Sequence, residues 1–386
     1  MEKKITTNQA SLILVIFTVS LKLSVLPALT CDYAARSAYV VCFLALLVDF
    51  LFTIAVIVII KKIPEKSFFE LIKTTVSKPI AIIIYIFLFF YFFLKLIIAL
   101  LELHDYYLVT LFEKLDPIYF IITLAFLMLF LLNKNFRTIG RLIEVCFWPL
   151  AIGIAFTLIY PVGDLEIVNL LPIFEDGFYS VYHGLFRTTV AYGDFMIFFM
   201  LMGKISYSKK PIKKILLYFS NIMFFIFNFY IIFVGTFEAT SVNQSLALAE
   251  LPLHNPSPTT IGRLEWLTII MWTAILLIQM TLIGNCCCNC IQEIFGVSDK
   301  KYPVFVVVGL MIVAYIPSYL KLDNLVQMLT TGLSATIISI FQLLCITLLY
   351  VCYFINKKKN KPAFNKNIKK QRTGGKYEKI NEKVAS

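Results

Sequence analysis

The chain has 386 residues, of which 60% are hydrophobic and 15% charged, with a mean hydropathy of +0.84 and a formal net charge of +12. Soluble domains carry roughly 25% charged residues, so this composition excludes a water-soluble globular protein. Runs such as PIAIIIYIFLFFYFF, residues 79–93, lack the period-two alternation of a membrane barrel, which leaves an all-α integral membrane protein.

About ten transmembrane helices are predicted, near residues 10–31, 39–60, 79–104, 117–133, 140–160, 184–204, 211–236, 263–290, 302–320 and 325–355. The MEKKI start resembles the basic head of a signal peptide. The apolar run behind it is too long and has no small-residue cleavage site, so it counts as the first span. That span contains SLKLSVLP, residues 20–27, in which Ser20, Lys22 and Ser24 interrupt the apolar run ahead of Pro27. An ionisable group costs about 2.5 to 3.5 kcal/mol at the centre of a spanning helix, so each must face protein or water and find a partner.

Asp49 is the ionisable group of span 2. Span 3 carries Tyr91, Lys95 and Glu102, the last two seven positions apart and therefore on one face, about 10 Å apart along the axis. His104 and Asp105 follow toward its end and read as interfacial. In span 5, Glu144 stands three residues after Arg141 and is expected to pair with it. The connection 161–183, with Pro172, Gly177, Glu175 and Asp176, predicts a short helix lying over one face of the bundle.

Span 6 is interrupted by VAYGDF, residues 190–195, which places Tyr192, Gly193 and Asp194 inside the membrane. The connection 237–262 holds Pro252, Pro256 and Pro258 and predicts an irregular segment, read either as a lid over a vestibule or as a plain bridge. In span 8, Arg263 and Glu265 lie near the membrane surface, while Thr268 and Trp272 share a face at i and i+4. The run NCCCNC, residues 285–290, puts only Cys286 and Cys290 on one face and lacks paired C-x-x-C spacing, so it reads as packing, with no metal assigned. The Asn-Gln-Ser triplet at 243–245 reads as an accidental glycosylation match. Residues 1–355 form one membrane domain, and 356–386 make a basic tail of low apolar content, expected to be disordered against anionic headgroups.

Of the 35 Lys and Arg, 28 fall on the side of the N-terminus, 5 on the opposite side, and Lys22 and Lys95 lie within spans. The positive-inside rule therefore puts both termini in the cytoplasm, and the net charge requires no nucleic acid. Matched breaks in spans 1 and 6 divide ten spans into a 5+5 inverted repeat, with halves near 10–160 and 184–355, whose half-helix ends meet at the bilayer midplane.

ITTNQASLILVIFTVSLKLSVLPALTCDYAARSAYV at the start resembles the opening of the spore-germination permeases, the B subunits of Ger-type germinant receptors in the amino acid/polyamine/organocation superfamily. NLLPIFEDGFYSVYHGL at 169–185, the span 6 break and GRLEWLTIIMW at 262–272 fit the same family, so the likeness runs from Ile5 to about Tyr353. The resemblance implies ten helices with spans 1 and 6 unwound, and a role in sensing nutrients, typically amino acids, that end spore dormancy. It also implies partner A-type and C-type receptor subunits and the spore inner membrane or the bacterial cell membrane. Such relatives usually carry a glycine-x-glycine in the first break, and alignment on Leu26 and Pro27 puts Ser20 and Lys22 at those glycines.

The candidate ligand-binding residues are Ser20, Lys22, Ser24, Tyr91, Lys95, Tyr192, Gly193, Asp194, Thr268 and Trp272, and the candidates for ion or proton coupling are Lys22, Asp49 and Asp194. Lys22 has two readings. Its ammonium faces the midplane cavity, where it pairs with a ligand carboxylate or replaces an ion, or it pairs permanently with Asp49 or Asp194 and locks the break. Two functions remain open: a germinant-sensing subunit that binds a small zwitterion between spans 1, 3, 6 and 8, and an autonomous proton-coupled amino acid transporter. No hydrolase triad, zincin helix or phosphate-binding glycine loop is present, so neither an enzyme nor a cofactor is expected.

Overall fold

The computed structural model describes residues 4–111, 116–254, 264–318, 322–329 and 331–384. A two-residue strand β1 (Ile5–Thr6) leads into α1 (Thr7–Leu23) through a capping box, in which the Thr6 side chain accepts from the Gln9 amide and the Gln9 side chain accepts from the Thr6 amide. These reciprocal bonds satisfy helix-start donors that would otherwise be orphaned. The helix is apolar nearly all round and sits at the centre of the bundle, against α7 (Phe136–Ile159), α10 (Pro211–Phe237) and α12 (Leu264–Phe295).

Helical geometry fails at Ser24, and Pro27 opens α2 (Leu26–Ala34), where its missing amide and fixed φ suit a first turn. Together α1 and α2 make span 1. Span 2 is α3 (Ala38–Ile60), and a short α4 (Phe68–Thr75), capped by Ser67 and Glu70, leads to α5 (Lys78–Thr110), which packs along α12. Spans 4 and 5 are α6 (Pro117–Leu132) and α7.

Span 6 has two short halves. The first is α8 (Gly177–Arg187) with a 3-10 turn at Thr188–Ala191; the second is a 3-10 turn at Asp194–Met196 continued by α9 (Ile197–Leu201). Gly193 joins them in the left-handed region at φ 89°. The short helix expected over one face is thus the start of span 6 itself, because Gly177 lets the chain enter the helix earlier than hydropathy alone suggests. A strand β2 (Ile205–Ser206) then pairs in parallel with β1.

The connection after α10 is more ordered than its prolines suggest, with a 3-10 turn at Glu238–Asn243 and α11 (Ala247–His254), while residues 255–263 lie outside the described ones. Span 9 is α13 (Lys301–Ser318), followed by α14 (Leu322–Leu329) and α15 (Gly332–Val384). The helix α15 runs to Val384, through the basic tail for which composition alone predicts no structure.

Seven stretches among the described residues are long and apolar enough to cross a membrane, including Leu26–Ile60, Lys78–Thr110 and Gly332–Lys358. Three shorter apolar helices, Thr7–Leu23, Ile118–Leu132 and Lys301–Tyr315, supply the other expected spans. Loops rich in Lys and Arg gather at one end of the bundle, here called the basic face: Gly203 touches Lys66, and Lys300 donates to the Lys134 carbonyl. At the opposite face Arg36 donates to the Leu171 carbonyl and to Glu238, and the Phe174 amide donates to Ser37. The four cysteines of the 285–290 run are buried, and Cys290 Sγ lies 3.7 Å from Met200 Sδ.

Candidate functional site

The two breaks meet in the middle of the bundle. Lys22, on the last turn of α1, extends its ammonium to Asp194 Oδ2 at 2.6 Å and donates to the Thr18 carbonyl at 3.2 Å; both charged residues are 1% exposed. Of the two carboxylates weighed for Lys22, the partner is Asp194. Lys95 arrives from α5 with Nζ 3.8 Å from Asp194 Oδ1 and 3.2 Å from the Tyr192 carbonyl. Asp49 arrives from α3, and its Oδ2 accepts the Asp194 amide at 3.2 Å. Two ammonium groups and two carboxylates therefore converge where the second break leaves backbone groups without helical partners.

Aromatic rings and one amide complete the enclosure. The Lys22 ammonium lies 4.9 Å from the Tyr192 ring centroid, and Lys95 lies 5.2 and 5.3 Å from the Phe17 and Tyr91 rings. Such contacts recover part of the solvation that a buried ammonium loses. The Tyr91 hydroxyl donates to the Gly193 carbonyl at 3.3 Å, and Gln342 of α15 donates to the Tyr91 hydroxyl and the Tyr192 carbonyl, each at 3.4 Å. A cavity of about 230 Å³ opens beside the second break, bordered by Asp49, Thr189, Tyr192, Gly193, Ser339 and Gln342. The second carboxylate oxygen of Asp49 is buried with no hydrogen-bond partner.

Residues 4–324 match the spore germination protein family. The chain belongs to that family. No protein of curated function matches this spore germination protein at a significant level. Among solved structures it is similar to two mutant forms of a manganese transporter from Eremococcus coleocola, at 12% and 13% identity, each with a TM-score of 0.57 and coverage of 90% of this chain and 78% of that one. It is also similar to a Na+-coupled sialic acid symporter, at 14% identity and a TM-score of 0.53, with 91% of this chain and 78% of that chain covered. At such identities the likeness is one of fold alone.

The structure brings Lys22, Tyr91, Lys95, Tyr192, Gly193, Asp194 and Asp49 together. Ser20 and Ser24 stand apart from the cluster: Ser20 Oγ donates to Glu102 Oε2 at 3.1 Å, and the Ser24 carbonyl accepts the Ala247 amide of α11 at 3.0 Å. Ser20 thus supports a buried acid, because its side chain faces α5. Thr268 and Trp272 are buried on α12 and do not border the 230 Å³ cavity; Trp272 Nε1 has no hydrogen-bond partner. Glu144 does not serve Arg141. It accepts from Asn8 and Gln9 of α1 at 3.0 Å each, which the close packing of α7 on α1 makes possible. Gln342 is the residue that sequence reasoning passed over. Its signal was a lone amide in the apolar run ISIFQLLC, where an unpaired polar group would be costly.

Proposed function

We propose that this permease-type protein is a nutrient-germinant-sensing subunit that binds a small zwitterion, an amino acid by class, beside the joined breaks of spans 1 and 6. The observation that carries the reading is the Lys22–Asp194 pair with Lys95 and Asp49 around it. A ligand carboxylate would compete for the two ammonium groups and a ligand amine for the two carboxylates, so binding would exchange internal pairs for external ones. Such an exchange shifts the breaks relative to each other and gives partner subunits a change to read.

Family membership supports a germination context, with A-type and C-type subunits as partners and the spore inner membrane as the site. The concentration of Lys and Arg on one face supports cytoplasmic termini. The proposed ligand residues are Lys22, Tyr91, Lys95, Tyr192, Gly193 and Asp194, with Thr268 and Trp272 reached only if α12 moves. The test is a nutrient panel applied to spores carrying wild-type or Lys22→Ala protein, with the amount of assembled protein measured in parallel. Altered preference or sensitivity at equal assembly is expected; an unchanged response at equal assembly sinks the ligand-site reading.

A second reading, an autonomous proton-coupled amino acid transporter, is favoured by one observation: Asp49 keeps a buried oxygen without a partner beside a cavity. In that reading Asp49 or Asp194 exchanges the coupling proton. Vesicles containing this chain alone distinguish the two, since amino-acid-driven pH change belongs only to the transporter.

A further inference from the structure

A second cavity, about 800 Å³, opens at the basic face, away from the joined breaks. It is bordered by β1, the start of α7, the turn after α9, the last turns of α12 and the loop before α13. Lys4, Arg137, Arg141, Lys204 and Lys300 line it, and no Asp or Glu does among the described residues. These cations come from four separate stretches of chain, so the fold assembles them.

Topology alone accounts for cations on this face but not for their convergence. Lys61, Lys62, Lys209 and Lys210 lie on the same face and are exposed outside the cavity, where water and mutual distance separate their charges. Inside it two of the cations are held in place. Lys300 is tied to the Lys134 carbonyl at 2.6 Å and to Asn285 Oδ1, and Lys204 stands 5.1 Å from the Phe136 ring. Glu293 of α12 acts electrostatically on Lys204 from outside the lining.

Donors of other kinds point the same way. Asn289 borders the cavity, and its Nδ2 is buried with no hydrogen-bond partner. Thr138 and Ser298 add hydroxyls, and the positive end of the 24-residue α7 opens onto the space. Two arginines four positions apart on one helix face can each present a forked pair of N–H groups to phosphate or carboxylate oxygens.

We propose that this cavity binds a phosphate-type polyanion, either a soluble phosphorylated solute or the phosphorylated headgroup of a lipid. The site is independent of whatever occupies the midplane. An anion there joins the segment before span 1, the start of span 5 and the exit of span 6, so its occupancy holds the basic face closed.

The experiment uses the full chain in uncharged detergent, with sodium pyrophosphate as probe and sodium chloride at matched ionic strength as reference. Pyrophosphate is expected to bind and raise Tm above the chloride reference, with affinity falling as salt rises. Arg137→Gln/Arg141→Gln is expected to bind about tenfold more weakly or worse, the effect of losing charge-assisted bonds. Lys4→Gln, on the segment before α1, is expected to weaken binding without threatening the fold, and Lys209→Gln/Lys210→Gln to leave it unchanged. Vesicles then separate the sources. Pyrophosphate affinity that drops when phosphatidylglycerol is added to phosphatidylcholine identifies a headgroup, and affinity equal in both identifies a soluble polyanion. Stabilisation no greater than by chloride, full binding by both cavity variants, or equal loss in the Lys209/Lys210 control overturns the proposal.

Discussion

Lys22 and Asp194 stand 172 positions apart in sequence and 2.6 Å apart in the fold, each on the last or first turn beside a break in its helix. The pair welds two interruptions that would each be unfavourable in a membrane. Removing one partner leaves a buried charge, which costs about 3–5 kcal/mol, while removing both costs less. Lys22→Met and Asp194→Leu should each lower the unfolding midpoint in detergent strongly, and the double variant should recover much of the loss. A double variant as unstable as the sum of the singles would show that the two groups act separately.

Gly193 is needed for two reasons. Its φ of 89° costs an L-residue about 1–2 kcal/mol, and a Cβ there would meet the Tyr91 hydroxyl at 2.9 Å and the side chain of Gln342. Gly193→Ala should therefore destabilise the protein more than backbone strain alone predicts. Adding Gln342→Ala should restore part of the stability, which a thermal unfolding series can read.

Glu250 tests the connection after α10. Burial pushes its carboxyl above the ordinary 4.5, opposed by the Leu246 amide, and its Oε2 has no partner. The folded chain thus holds this proton more tightly than the unfolded one. The associated stability is greatest below pH 4.5 and is lost as pH rises through the folded value. Glu250→Gln keeps the acceptor for Leu246 and never ionises, so it should raise Tm at neutral pH, with the gain vanishing in acid.

Glu144 ties α7 to the start of α1 through Asn8 and Gln9. Glu144→Ala should cost about 1–3 kcal/mol, the range for losing hydrogen bonds to a charged group, and should speed amide hydrogen exchange over residues 5–9. Exchange that stays at the wild-type rate would assign the clasp to other contacts.

The ten spans, the two breaks and the intramembrane charges were legible because the bilayer taxes every departure from an apolar helix, so Lys22, Asp49, Lys95 and Asp194 stand out against their surroundings. Which acid met Lys22 was not legible, since both candidates lie on spans that cross near the break and only packing decides between them. Glu144 was misread for a related reason. A side chain three residues away on the same helix competes with one on a neighbouring helix, and sequence spacing shows only the first. Gln342 carried a clear signal in its cost, but an amide has no charge to draw attention to it.

The parallel pairing of β1 with β2 bonds the Ile5 amide to the Lys204 carbonyl at 2.9 Å and sets Thr6 beside Ser206. It fastens the free end of α1 to the segment leaving α9, while Lys22 and Asp194 fasten their inner ends. Two half-helices clamped at both extremities form a closed frame. Neither can swing alone, so any tilt of the first carries the second with it, and this two-stranded sheet is the crossbar that makes them a single moving part.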